Sequence, residues 1–187
     1  MAGVDRMSRW FRVQPVGYVR RPGEPDVDPE AFYDPFVETA LEILPRWEEA
    51  LEGIEEYSHL FVIFLLDRVR RARKPRSHVP EGREGLPDVG LFATRTPRRP
   101  NPLGVSAPRL LRREENILWV SGIDAWPGTP ILDIKGYAPR DDLRLEATVP
   151  EWLERLWAAH DAERNEQSRN GANGVLIKAR GESEVDR

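Results

Sequence analysis

The sequence predicts a mainly β (α+β) domain: a small antiparallel β-barrel followed by a C-terminal helix. Three observations lead there. Short runs rich in β-branched and aromatic residues recur between residues 13 and 137, and Pro- and Gly-rich turns separate them. Two of these runs, residues 105–111 and 117–123, stand at hairpin spacing. Only residues 45–51 and 150–167 carry convincing helical patterning. Strands without alternating helices favour a closed or sandwiched antiparallel sheet over a doubly wound one.

Residues 13–20, VQPVGYVR, contain Pro15 and Gly17 and suit an edge or bulged strand. The loop over residues 21–36 is stiffened by Pro22, Pro25, Pro29 and Pro35. A short strand at 39–44 follows. Pro45 then opens a helix whose apolar positions are Trp47, Ala50, Leu51 and Ile54, with Gly53 as its stop. Residues 60–66 are apolar at every position, which predicts a strand buried on both faces. His59 stands at its mouth, Asp67 and Arg68 at its far end. Residues 69–89 form a basic loop. In the 105–123 hairpin, Pro108 marks an edge or a bulge and residues 112–116 the turn. A turn at 126–130 carries Pro127, Gly128 and Pro130, and the strand after it, 131–137, alternates imperfectly, as a strand with one functional face does. The last helix opens on the capping pattern of Thr148 and Glu151 and carries a stripe of Trp152, Leu153, Leu156, Trp157 and His160. These elements divide the chain into a barrel domain over residues 10–140, a helical extension over 141–169 and a flexible tail over 170–187, where Asn-Gly pairs break the pattern.

Composition narrows the chemistry. The 187 residues suffice for a core without cross-links, and the absence of Cys excludes disulfides, thiolate nucleophiles and Cys-ligated zinc. The three histidines, His59, His78 and His160, are scattered, so no metal is expected. No apolar run is long enough for a signal peptide or a membrane span, which predicts a cytoplasmic protein that does not enter membranes. Phosphate-binding Gly-rich loops of the dinucleotide or P-loop type are missing. Ser58, His59 and Ser106 are candidates for a hydrolase triad, but no Gly-x-Ser-x-Gly elbow supports one. The net charge of −4 hides an asymmetry. Residues 68–113 hold 13 Lys and Arg against 3 Asp and Glu, a balance of +10, against −14 over the rest of the chain. The densest run includes Arg70, Arg71 and Arg73, and Arg98 and Arg99 follow in a second cluster, a distribution that attracts phosphates.

Residues 90–106, GLFATRTPRRPNPLGVS, organise the chain. Residues 91–93 read as a short buried strand that delivers Thr94 and Arg95 to its end. Pro97, Pro100 and Pro102 then remove backbone freedom and amide donors. A loop stiffened in advance suits ligand binding; a Pro-rich surface turn with solvated arginines is the alternative.

Three blocks resemble the TsaA/TrmO family of S-adenosylmethionine-dependent tRNA methyltransferases. They are EGIEEYSHLFVIF, GLFATRTPRRPNPLGVS and GIDAWPGTPILDIKGYAP, with PVGYVRRP matching the family's first strand. The similarity covers roughly residues 13–139. It implies an antiparallel barrel, a homodimer, S-adenosylmethionine held by loops, and methylation of the exocyclic nitrogen of threonylcarbamoyl-adenosine beside the tRNA anticodon. Carried over by position, cofactor contacts fall on Asp67, Arg68, Arg95, Val105, Gly128, Thr129 and Pro130. Pro127 stands where the family has Asp, Gly136 where it has Pro, and Asp67 where many members have His. The nitrogen must shed a proton, and Asp124 and Asp133, which flank the Gly-Thr-Pro turn, are the available acceptors; either is also credible as a structural residue. A barrel methyltransferase of small molecules and a non-catalytic RNA-binding barrel remain as alternatives.

Overall fold

The computed structural model describes residues 11–21, 37–69 and 76–181. The chain divides into two compact units: residues 1–78 with 89–143, and residues 79–88 with 144–187.

The first unit carries a seven-stranded antiparallel sheet. Its strands are β1 (Gly17–Arg20), β2 (Glu38–Ile43), β3 (Leu60–Leu65), β6 (Leu103–Ser106), β7 (Arg109–Glu114), β8 (Ile117–Ser121) and β9 (Pro130–Gly136), in the order β6-β3-β9-β1-β2-β8-β7. A two-stranded ribbon of β4 (Ser77–His78) and β5 (Val89–Gly90) lies beside it in the same unit. The mainly β class expected from the sequence is therefore present. The closed barrel is not: among the described residues no continuous ladder joins the two ends of the sheet. β6 and β7 are neighbours in the chain, and the start of β7 meets the start of β3 through one bridge, His59 with Arg109, flanked by Leu60 N–H to the Pro108 carbonyl (3.0 Å) and Leu110 N–H to the Ser58 carbonyl (2.9 Å). Pro108, fully buried, has no amide to donate there, and so interrupts what would otherwise be one long strand.

The core is a layer of side chains on one face of the sheet: Val19, Leu41, Ile43, Leu60, Val62, Phe64, Leu118, Val120 and Ile131 are each at most 2% exposed. Three strands depart from expectation. β1 is central rather than an edge, because Pro15 precedes it and the Val16 N–H is free to donate to Ile131 O (2.8 Å). β3 is not buried on both faces: Leu60, Val62 and Phe64 face the core, while Phe61, Ile63 and Leu65 are only half-covered. β9 alternates imperfectly for a structural reason. Ile63 pairs with Asp133 and Phe64 with Ile131, so Leu132 is a bulge. The extra residue resets the face, and Ile131 and Ile134 both reach the core. The hairpin turn is also tighter than expected. β7 and β8 pair up to Glu114 and Ile117, leaving Glu115 and Asn116, with Glu115 at φ 54°.

Residues 45–51 form a 3-10 helix, Pro45–Leu51, and Gly53 follows at φ 78°. Only Leu51 is buried from its expected apolar face, Ile54 packs partly against the core, and Trp47 stays 44% exposed.

In the second unit, α2 (Glu151–Gly181) follows the single turn α1 (Pro139–Asp142) of the first. Residues 170–181, expected to begin a flexible tail, continue the helix. Asn and Gly each cost a helix about 1 kcal/mol at most, a penalty that does not by itself end one. Leu156 is the buried residue of the expected stripe, and Trp157 is half exposed. Arg83 bonds both Glu163 and Glu81, and Glu81 meets His160 at 3.0 Å, so charge pairs tie residues 79–88 to the helix within this unit.

Candidate functional site

Three segments of the first unit meet at one end of β3. The Leu66 N–H donates to the Pro102 carbonyl at 2.7 Å, which pins the Pro-Asn-Pro loop to the end of that strand. Two residues on, the Arg68 guanidinium donates to the Pro127 carbonyl at 2.8 Å and lies 5.4 Å from the Trp126 ring centre. On β6, Ser106 Oγ accepts the Asp124 N–H at 3.2 Å. Strand end, stiff loop and turn are thus joined by direct bonds.

The turn at 126–129 is specified by its sequence. The Thr129 N–H donates back to the Trp126 carbonyl at 3.0 Å, and Gly128 has φ 84°. Pro at the second position and a left-handed Gly at the third are the requirements of a type II turn. Pro127, where the family has Asp, therefore presets the backbone. The Gly128 N–H donates to Val19 O (2.7 Å) and the Val19 N–H to Thr129 O (3.0 Å), which moors the turn to β1. Thr129 is 4% exposed. A Cβ on Gly128 would meet Arg68 at 3.5 Å, and the left-handed backbone would strain it in any case.

Asp124 lies between Ile123 and Ala125, each 4% exposed, and is itself turned outward. Its side chain reaches solvent, yet the protein packed around it strips enough water from the carboxylate to push its pKa above the ordinary aspartate value. Asp133 stands differently. It sits on β9, where Lys135 Nζ approaches its Oδ2 at 2.6 Å. The two candidate carboxylates are thus in unlike settings: one partly desolvated, the other in a surface ion pair.

The remaining expected residues divide as follows. Asp67 adjoins Arg68, and its own N–H donates to the Leu65 carbonyl (2.9 Å). Val105, 57% exposed, pairs with Ile63 next to Ser106. Pro130 begins β9. Arg95 and Arg98 are exposed and have no hydrogen-bond or ion-pair partner among the described residues. Arg99 donates to the Thr94 carbonyl at 2.7 Å and lies 5.8 Å from the Phe92 ring centre. Arg70, Arg71 and Arg73 lie outside the described residues. No described contact joins Arg95 to the 126–129 turn.

Residues 91–93 are not a strand. They form a 3-10 turn, Leu91–Ala93, with Leu91 buried and Phe92 79% exposed. The Thr94 hydroxyl folds it by donating to the Leu91 carbonyl at 3.0 Å. Ser106 and Trp126 join the site through their contacts with Asp124 and Arg68. Ser106 closes the second matching block and Trp126 opens the turn of the third, so the signal was present in both motifs. Among the described residues no group of three potential ligands is placed to hold a metal, and no helix is long and apolar enough to cross a membrane.

Comparison with known proteins shows what the chain is similar to. A Pyrococcus abyssi protein named "Probable S-adenosyl-L-methionine-binding protein" is 37% identical, over 76% of each chain. The mouse tRNA (adenine(37)-N6)-methyltransferase is 30% identical over 72% of this chain and 30% of its own. The crystal structure of TrmO from Pseudomonas aeruginosa superposes with a TM-score of 0.58 at 33% identity, over 76% of this chain and 63% of that one. The chain thus spans less than two thirds of the TrmO chain it resembles. Residues 26–143 match the model of the tRNA-methyltransferase O N-terminal domain, so the chain belongs to that family.

Proposed function

We propose that this chain is an S-adenosylmethionine-dependent methyltransferase of tRNA, acting on the exocyclic nitrogen of the (threonylcarbamoyl-)adenosine beside the anticodon. Family membership and the names of the mouse and Pyrococcus relatives support the reaction and the cofactor. The observation that carries the reading is Asp124: a carboxylate with a raised pKa, fixed through its backbone by Ser106, one segment away from a preset Gly-Thr-Pro turn.

The residues fit the cofactor. It carries a carboxylate, and Arg95 is a guanidinium with no protein partner among the described residues. It needs backbone to approach closely, and Gly128 presents no side chain. Asp67, Val105, Thr129 and Pro130 complete the set assigned to holding it. When bound, the cofactor supplies an electrophilic methyl group on a sulfonium. The protein's part is positioning and proton removal. Arg68 holds the turn by its bond to Pro127 and its contact with Trp126. Asp124 accepts the proton that the nucleophilic nitrogen loses, and desolvation makes it a stronger acceptor than a solvated aspartate. Asp133 is already engaged by Lys135, which favours Asp124 for this role.

Arg98 and Arg99, with Arg70, Arg71 and Arg73, are assigned to the RNA. The exposure of Leu103 and Val105 on edge strand β6 supports a homodimer, and the cytoplasm is where such a substrate is met. Calorimetry with S-adenosylmethionine, followed by nucleoside analysis of bulk tRNA incubated with enzyme and cofactor, tests the assignment. Cofactor binding with a new methylated adenosine is expected. Binding without tRNA methylation would point to a small-molecule substrate, and no binding would reject the enzyme.

A further inference from the structure

Phe92 is held out of the core by a scaffold built for that position. Its neighbour Leu91 is buried at 6% exposure and anchors the turn, so Phe92 is turned away. The Thr94 hydroxyl closes the turn on the Leu91 carbonyl (3.0 Å), and Arg99 locks the Thr94 carbonyl (2.7 Å). The same Arg99 guanidinium stands 5.8 Å from the Phe92 ring centre, so one side of the ring has a cation against it while the ring as a whole stays 79% exposed. Burying a Phe side chain is worth about 1.5–3 kcal/mol, a gain that this position forgoes. Single exposed apolar residues are ordinary; this one stands in a turn held by buried Leu91, the Thr94 hydroxyl and Arg99. The surroundings are cationic: Arg98 in the same loop has no partner among the described residues, and the segment from 68 to 113 carries the balance of +10.

We propose that Phe92 is the face on which an unpaired base of the RNA substrate stacks, with Arg99 fixing the ring and Arg98 meeting a neighbouring phosphate. This rests on the tRNA reading above and adds the contact by which the loop engages a base. A flat aromatic ring beside a cation, in a loop already immobilised, is the chemistry that single-stranded nucleic acid takes up, and the positive balance is complementary to a polyanion. It also changes the part Arg99 plays: its guanidinium is committed to the loop and the ring, not free for phosphate.

The test uses the full chain and bulk tRNA, with dissociation constants measured across a salt series, beside cofactor affinity and melting temperature. F92L keeps apolar bulk and removes the aromatic face; F92Y keeps the face. F92L should bind tRNA about five- to a hundredfold more weakly, the range for one lost base stack. Its salt slope should be unchanged, because no phosphate contact is removed, and its cofactor affinity and melting temperature should match the parent. F92Y should bind tRNA like the parent. Parental tRNA affinity in F92L overturns the proposal, as does a loss of cofactor affinity with tRNA binding intact, which would give the ring to the cofactor's adenine. If the parent chain itself does not bind tRNA at low salt, the tRNA reading fails as well, a result distinct from either.

Discussion

Two groups of arginines lie within the same basic segment and behave in opposite ways. On β7, Arg112 bonds Glu114 and Glu38 and lies 4.4 Å from the Trp119 ring centre. Arg113, only 18% exposed, donates to the carbonyls of Glu115 (2.9 Å) and Leu51 (3.1 Å) and meets Glu55. In the Pro-stiffened loop, Arg95 and Arg98 have no such partners among the described residues. Charge density in the sequence is the same kind of signal in both places. What separates them is the surroundings: β2 and the Pro45–Leu51 helix bring an acid and a carbonyl to β7, whereas no described acid or carbonyl meets Arg95 or Arg98. The first pair is spent on the fold; the second is unengaged among the described residues, and the proposed function gives it to a ligand.

The largest effect is expected where the ligand side of this comparison becomes chemistry. D124N removes the proposed proton acceptor and should lower the methylation rate by about 10²–10⁴-fold, the usual range for a general base. Stability should move the other way. A carboxyl whose folded-state pKa is raised stabilises the fold while protonated. That contribution is complete below the unfolded-state pKa of about 3.9 and is lost as pH rises through the raised folded-state value. The amide escapes the penalty, so D124N should melt at or above the parent temperature at neutral pH, and the gap should close in acid. Equal activity in D124N would leave Asp124 a structural residue.

On the fold side, R113A leaves the Leu51 carbonyl without its donor and should cost about 1–3 kcal/mol in a denaturant titration. Cofactor and tRNA affinities of the folded molecules should be unchanged; a large affinity loss at parental stability would erase the distinction between the two groups. The smallest effect belongs to R98A. It should reduce the slope of tRNA affinity against salt by about one phosphate contact. An unchanged slope would return Arg98 to plain solvent.

The sequence made the strand-rich class, the Pro45 helix and the Pro-Gly turn legible because each rests on local backbone chemistry. Leu132 shows where local reading ends. Its bulge is visible only once β3 is paired with β9, yet it decides which face Ile134 and Asp133 occupy. Phe92 fails similarly: an apolar triplet reads as buried strand, and only the Thr94 and Arg99 bonds reveal a turn that puts the ring outside. α2 runs past the point where its sequence pattern breaks, because Asn-Gly pairs signal turns without forbidding helix. For the site, the motifs supplied the three segments, whereas the bonds that join them, Leu66 to Pro102, Arg68 to Pro127 and Asp124 to Ser106, are long-range and have no sequence signature.

Arg95 tests the central contrast most directly, since it is a fully charged group that nothing described holds. R95K keeps the charge and loses the planar fork that matches a carboxylate. Calorimetry with S-adenosylmethionine should show affinity falling by about 1.5–3 kcal/mol, roughly ten- to a hundredfold, while the melting temperature without cofactor stays at the parental value. A protein that loses stability and keeps its cofactor affinity, or one that keeps both, would contradict the assignment of this arginine to the ligand.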